Sequence, residues 1–217
     1  MPTFPELPYL ENQKHFRATS GCALWFGVIA GVLGLPWFLS GGFVLTAISV
    51  GLLAYHFVTR PPGPESVDRS TRLLVAFATG EAKRKLLVEG VDEEIPAIEV
   101  WGYTRVAFEG SGPVQVRATE GTFRTSVLSL FVARFGREQM HIYTFAASLT
   151  TEGAFNEKTV EFFYRDVVSL ATETGPQGTT LTLSTTNGEK YVCPVKDAGH
   201  LDSEVATARE LIRAKRS

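Results

Sequence analysis

Two hydrophobic rhythms divide this chain. Between Ser20 and Thr59, forty positions pass without an Asp, Glu, Lys or Arg. From Ile98 onward, β-branched and aromatic residues come in short bursts separated by turn residues. A bilayer core needs about 20 apolar residues in a helix, so the first stretch is long enough to cross twice if it turns near its middle. Gly34, Pro36, Ser40, Gly41 and Gly42 supply the helix breakers there. The pattern therefore predicts spans near 20–36 and 40–58, a transmembrane helical hairpin over 20–59. Each span is slightly short, which bilayer thinning or an interfacial Trp37 accommodates.

Flanking cations set the orientation, because Lys and Arg are retained on the cytoplasmic side. Lys14 and Arg17 precede the first span, Arg60, Arg69 and Arg72 follow the second, and the connecting turn has none. Both termini are expected in the cytoplasm, with the hairpin in the inner membrane and residues 1–19 forming a cytoplasmic N-terminal segment. Ala23, Gly27 and Gly31 recur every four residues in the first span, as do Ala47 and Gly51 in the second. Such rows let helices approach closely in lipid, either within the hairpin or between copies in a homo-oligomer. His56 is expected as an interfacial histidine beside Tyr55 and Arg60 rather than a proton relay.

The prolines of the 60–64 linker end the helical pattern and mark the module boundary. Leu73, Leu74, Phe77 and Ala78 then stand at helical spacing after the acidic Glu65 and Asp68, which favours a helix between Glu65 and Glu89 interrupted near Gly80. A strand over Arg72 to Thr79 is the alternative. Lys83, Arg84 and Lys85 form the densest basic cluster, read as a solvated face or as a contact for anionic headgroups.

Seven strands are expected beyond it: Ile98 to Phe108, Val114 to Ala118, Ser126 to Arg134, Met140 to Leu149, Val160 to Thr174, Leu181 to Thr186 and Lys190 to Val195. Asn187-Gly188 predicts a type I′ hairpin between the last two, with Leu181 and Leu183 on one face and Tyr191, Cys193 and Val195 on another. A C-terminal helix follows, capped by Asp202 or Ser203, with Val205, Ala208, Leu211 and Ile212 as its apolar stripe. Arg209, Arg213, Lys215 and Arg216 complement its dipole.

Composition narrows the function. A formal net charge of -2 supplies no field for a long nucleic acid. Only two cysteines are present, with no paired spacing, which fits a reducing compartment. The N-terminus lacks the charged start and cleavage site of a removable signal peptide. Nucleophile-elbow, phosphate-loop, dinucleotide and zinc-protease motifs are all missing, so no enzyme and no cofactor are expected. His141, His200 and Cys193 match no metal-ligand spacing, Asp92-Glu93-Glu94 reads as a solvated turn, and Arg165 with Asp166 reads as an ion pair or backbone caps at a strand kink.

Seven antiparallel strands followed by one helix is the element order of pleckstrin-homology-like domains. Phe163-Tyr164-Arg165-Asp166-Val167-Val168-Ser169-Leu170 resembles the strand, kink and strand passage of the small bacterial members found beside membrane spans, and the likeness covers roughly residues 98–216. It implies an α+β membrane protein: a two-helix hairpin, then a cytoplasmic, mostly antiparallel β barrel or sandwich over 65–217, closed by a helix. The basic signature of phosphoinositide binding is missing, so no headgroup specificity carries over. The expected role is a membrane-anchored binding module that recruits a protein partner or reads the membrane surface. The architecture is also similar to the two-span β-barrel effectors of cyclic-nucleotide antiphage systems, which disrupt the membrane. That resemblance implies a cyclic-nucleotide ligand, and Arg105, Arg117, Arg124 and Arg134 are the candidate phosphate contacts.

Overall fold

A computed structural model describes residues 4–16, 28–29, 43–58, 63–86, 96–119, 122–176 and 178–216. Within them the chain is an α+β fold of N-terminal helices, antiparallel sheets and a C-terminal helix. The helices are α1 (Tyr9–Phe16), α2 (Phe43–Val58), α3 (Glu65–Lys85) and α4 (Leu201–Arg216). The strands are β1 (Ile98–Tyr103), β2 (Val116–Thr119), β3 (Thr122–Thr125), β4 (Val127–Phe135), β5 (Gln139–Ser148), β6 (Phe155–Phe163), β7 (Val167–Gly175), β8 (Gly178–Thr185) and β9 (Lys190–Val195).

One sheet has the order β1-β4-β5-β6 and a second the order β7-β8-β9, with β2 and β3 forming a separate hairpin between β1 and β4. All pairings are antiparallel. Lys196 N–H donates to the Trp101 carbonyl at 2.9 Å, so β9 closes against β1. The space between the sheets is filled by alternate residues of each strand: Ile98 and Val100, Phe131, Ala133 and Phe135, Met140 and Ile142, then Leu181, Leu183 and Cys193. Helix α4 seals this core with Leu201, Val205, Ala208 and Ile212.

The opposite face of the four-stranded sheet is buried as well. Register pairs Leu128 with Ala147, Leu130 with Phe145 and Val132 with Tyr143, and these six side chains lie beneath Val67, Leu74, Ala78 and Ala82 of α3 and Leu7 and Phe16 at the N-terminus. Burial on both faces explains why β4 reads VLSLFVARF, almost continuously apolar, where a one-sided sheet would alternate.

Several expectations change here. Within the N-terminal segment, residues 9–16 form α1, for which no element was expected and which packs on α3 and the sheet. Helix α3 runs unbroken through Gly80, whose surroundings are open, so the interruption and the strand alternative both fall away. Nine strands are present among the described residues. The extra ones come from the β2-β3 hairpin and from a 3-10 turn, Tyr164–Asp166, that splits the stretch 160–174. Arg165 lies over the Phe163 ring at 5.0 Å, and the Asp166 carbonyl accepts from Thr186 N–H at 2.8 Å.

The Asn187-Gly188 turn is one residue longer than a type I′ loop. Gly188 N–H donates to the Thr185 carbonyl at 3.0 Å, Thr185 N–H to the Glu189 carbonyl at 3.1 Å, and Gly188 takes φ of 85°. Thr186 and Asn187 thus form the turn and Gly188 the left-handed bulge position that follows it. Register then sets Leu181 opposite Cys193 and Leu183 opposite Tyr191, on one shared inward face instead of two. At the C-terminal helix the expected caps, Asp202 and Ser203, lie within the first turn instead: the Asp202 carboxylate accepts from Thr172 at 3.2 Å and the Ser203 hydroxyl donates back to the His200 carbonyl at 2.8 Å.

Ala23, Gly27 and Gly31, with most of the first predicted span, lie outside the described residues. In the second, α2 has 16 residues, roughly 24 Å of helix against a hydrocarbon core of about 30 Å. No helix among the described residues is long and apolar enough to cross a membrane.

Candidate functional site

The residues flanking the long uncharged run come together at one end of the four-stranded sheet, where β1 and β5 end and β4 and β6 begin. Helix α1 stops at Phe16, four residues before the run, and α3 starts at Glu65, six residues after it. Side chains pin both to the sheet. The buried Asn12 amide donates to Ser70 Oγ on α3 at 3.0 Å and to the Leu149 carbonyl at 2.9 Å. Gln13 donates to the Thr150 carbonyl at 2.7 Å, and Phe4 stacks on Phe155 with ring centroids 4.9 Å apart while meeting Phe77 edge-on at 5.4 Å.

Hairpin β2-β3 adds two arginines to the same end. Arg117 and Arg124 are directly opposite in register, so both guanidiniums leave from one face of the hairpin. Arg117 donates to the His15 carbonyl in the last turn of α1. Arg124 grips Asp68 of α3 with two bonds, Nε to Oδ1 at 2.8 Å and a terminal nitrogen to Oδ2 at 3.0 Å. Two like charges facing each other would repel; here one is neutralised by a carboxylate and the other by a helix C-terminus. The Arg124 hydrogen bonds hold the Asp68 carboxyl below its ordinary value against the opposing effect of burial. Beside them Thr71 Oγ1 and Tyr103 OH are 3.0 Å apart, and burial pushes that phenol up.

With 8% of its side chain exposed, Arg124 cannot lose its partner without cost. Asp68→Ala is expected to lower stability by about 2 to 3 kcal/mol, since it leaves the buried Arg124 guanidinium without its carboxylate, whereas Asp68, a third exposed, would be re-solvated if Arg124 were the one removed. The same pair predicts a pH dependence. Because folding depresses the Asp68 pKa, its stabilisation is complete above the unfolded value of about 3.9 and is lost as pH falls through the lower folded value. Urea midpoints measured down this acid limb should fall more steeply in the parent than in Asp68→Asn; equal slopes would remove the pair from the account.

The other candidate positions are placed elsewhere. Lys83 is exposed, Arg84 pairs with Glu81 at 2.7 Å, and Lys85 pairs with Glu157 and lies 5.9 Å from the Tyr143 ring centre. This basic cluster sits at the C-terminus of α3, roughly 25 Å of helix from Asp68, and two of its three charges are spent on internal pairs. Arg105 is exposed, just beyond β1. Arg134 is at the opposite end of β4, in register with His141. The four arginines thus do not converge: two brace the hairpin, one faces solvent, and one lies across the sheet.

Among the described residues no three His, Cys, Asp or Glu side chains are grouped to hold a metal ion. Cys193 is buried, its thiol pushed up to about 12 by desolvation, and it faces the Val100 carbonyl and Ser129. His141 lies against Glu161 at 3.3 Å.

Helix α2 has its polarity inverted. Ala47, Ile48, Val50, Gly51, Ala54 and Tyr55 are exposed, while Ser49 is buried. An added Cβ at Gly51 would meet nothing within 4 Å. A water-facing helix exposes polar residues and hides apolar ones; over residues 47–55 this one leaves apolar residues exposed and buries Ser49.

No family model, curated protein or solved structure matches the chain.

Sequence reasoning had Asp68 only as a helix-start acid and assigned Asn12 no role. Their partners are 56 and 137 residues away, a separation no local pattern encodes.

Proposed function

We infer that this chain is a non-enzymatic, membrane-anchored binding module, whose pleckstrin-homology-like β domain is held at the cytoplasmic face of the inner membrane by the hairpin over residues 20–59. The inverted helix α2 carries the reading. A helix presenting Ile48, Val50 and Tyr55 outward and tucking Ser49 inward is suited to lipid.

The fastened flanks supply the topology. With α1 and α3 pinned to the same end of one sheet, two crossings by the intervening stretch fit this reading better than one. The surplus of Lys and Arg in those flanks favours the cytoplasmic side. The element order, a four-stranded and a three-stranded antiparallel sheet followed by a sealing helix, supports the pleckstrin-homology-like assignment. Anchoring confines the domain to the bilayer, where a weak contact with a protein partner or a second copy becomes effective. A cyclic-nucleotide reading would need convergent cations, and the arginines available to it are dispersed.

The test is fractionation of the full chain beside a variant in which residues 20–59 are replaced by a Gly/Ser linker of equal length. The parent should stay with membranes through alkaline carbonate washing, and the variant should be wholly soluble with the parent's β-rich circular dichroism. A parent that remains in the aqueous fraction without detergent, or a reporter at Ser217 found outside the cytoplasm, would overturn the proposal.

A further inference from the structure

The hairpin that braces the anchor has a second face. Strand alternation sets Val116 and Ala118 opposite in direction to Arg117, and register brings Phe123 beside Ala118 on that same face. All three are exposed, Phe123 by 63%, and Val106 in the preceding loop by 74%. An isolated exposed apolar residue is ordinary on a protein surface. Here Val116, Ala118 and Phe123 share one face of the element whose arginines hold the two flanks of the apolar run, through the His15 carbonyl and Asp68, and Val106 is in the loop that leads to it.

We propose that the exposed face of hairpin β2-β3 is a membrane wedge, which seats Phe123, Val116 and Val106 in the interfacial zone of the bilayer beside the anchor. This rests on the anchored reading above and adds a second, separate contact between domain and lipid. Continuity with the run identifies the occupant. Helix α1, which precedes residues 20–59, and α3, which follows them, are both tied to this hairpin, so on the anchored reading the hairpin stands next to the bilayer. The neighbouring charge fits the same depth. Arg105 is exposed one residue before Val106 and carries a cation to headgroup level while the aliphatic and aromatic groups beside it enter the boundary. The loop bearing Val106 is held in place. Phe108 N–H donates to Ser111 Oγ at 3.1 Å, and the Ser111 carbonyl accepts from Ser148 at 3.3 Å and Thr151 at 3.1 Å. Two attachments restrict tumbling, so the domain presents a fixed face to the cytosol and leaves β7-β8-β9 available for partners.

The experiment uses the full chain in phosphatidylethanolamine/phosphatidylglycerol vesicles. In a Cys22→Ser background, where the remaining Cys193 is buried, an environment-sensitive fluorophore is attached at Phe123→Cys or, as control, at Val192→Cys, which is 58% exposed on the outer face of the three-stranded sheet. The label at 123 should emit to the blue of the label at 192 and lose most of its intensity to lipids spin-labelled near the headgroup, with 192 unaffected. Flotation of the same vesicles separates the two proposals. If the protein floats and position 123 is as water-exposed as 192, the wedge is overturned and the anchor stands. If the protein does not float, both fall.

Discussion

Gly102→Ala is expected to destabilise the domain by about 3 kcal/mol or more, among the largest effects of any single methyl group in this chain. A Cβ at this position would lie 2.4 Å from the Pro194 carbonyl oxygen and 2.7 Å from its carbon. Both are backbone atoms of β9 and cannot swing aside as a side chain would. The available relief is to part β1 from β9, which breaks the Lys196 to Trp101 hydrogen bond and opens the seam between the two sheets. Gly80→Ala is the matched control. An added Cβ there meets nothing within 4 Å, and the helix interior favours alanine, so the expected change is a gain of about 0.5 to 1 kcal/mol. Chemical denaturation of the pair decides the matter: two changes of the same sign would refute the close approach.

The second large effect belongs to α3. Leu74 is fully buried on the outer face of the four-stranded sheet, in the same cluster as Leu128, Leu130 and Phe145. Leu74→Ala should therefore cost about 2 to 5 kcal/mol. Hydrogen exchange should show added opening along α3 and in the Asn12 to Leu149 contact, while the core beneath α4 keeps its protection. Were residues 65–85 only a spacer between anchor and domain, the change would stay within about 0.5 kcal/mol. The distinction bears on the proposed function, because only a docked α3 would pass the position of an anchor on to the domain.

These two sites also show how far the chain could be read without coordinates. Strand β9 was found with its bounds at Lys190 and Val195, and α3 and α4 were expected near their observed places, because each carries its own period: alternation in KYVCPV, apolar residues three and four apart in the helices. The pair β2-β3 was half missed. Four residues per strand, with Arg and Thr between the apolar positions, give too short a pattern to separate from a loop. The split of 160–174 was hidden for a different reason. Phe162, Phe163, Val167 and Val168 look like one strand, and only the demand that the chain pass from one sheet to the other places a 3-10 turn between them.

At the candidate site the sequence showed which residues were cationic but not what they face. Arg124 and Lys85 were offered as ligand contacts, and both have carboxylate partners 56 and 72 residues away. Phe123 falls between the expected strands 114–118 and 126–134, where a single phenylalanine in a polar stretch gives no period to read.

By itself the sequence determined composition-driven matters: a forty-residue run that lacks any Asp, Glu, Lys or Arg, a β-rich remainder and a closing amphipathic helix. Hydrophobicity and period are sums over neighbours, so they survive without a fold. What only the tertiary structure decided was the double burial of the four-stranded sheet, the fastening of both flanks of the run at one end, and the two-faced hairpin beside them. Each depends on pairs of residues far apart in the chain, whose meeting is a property of topology.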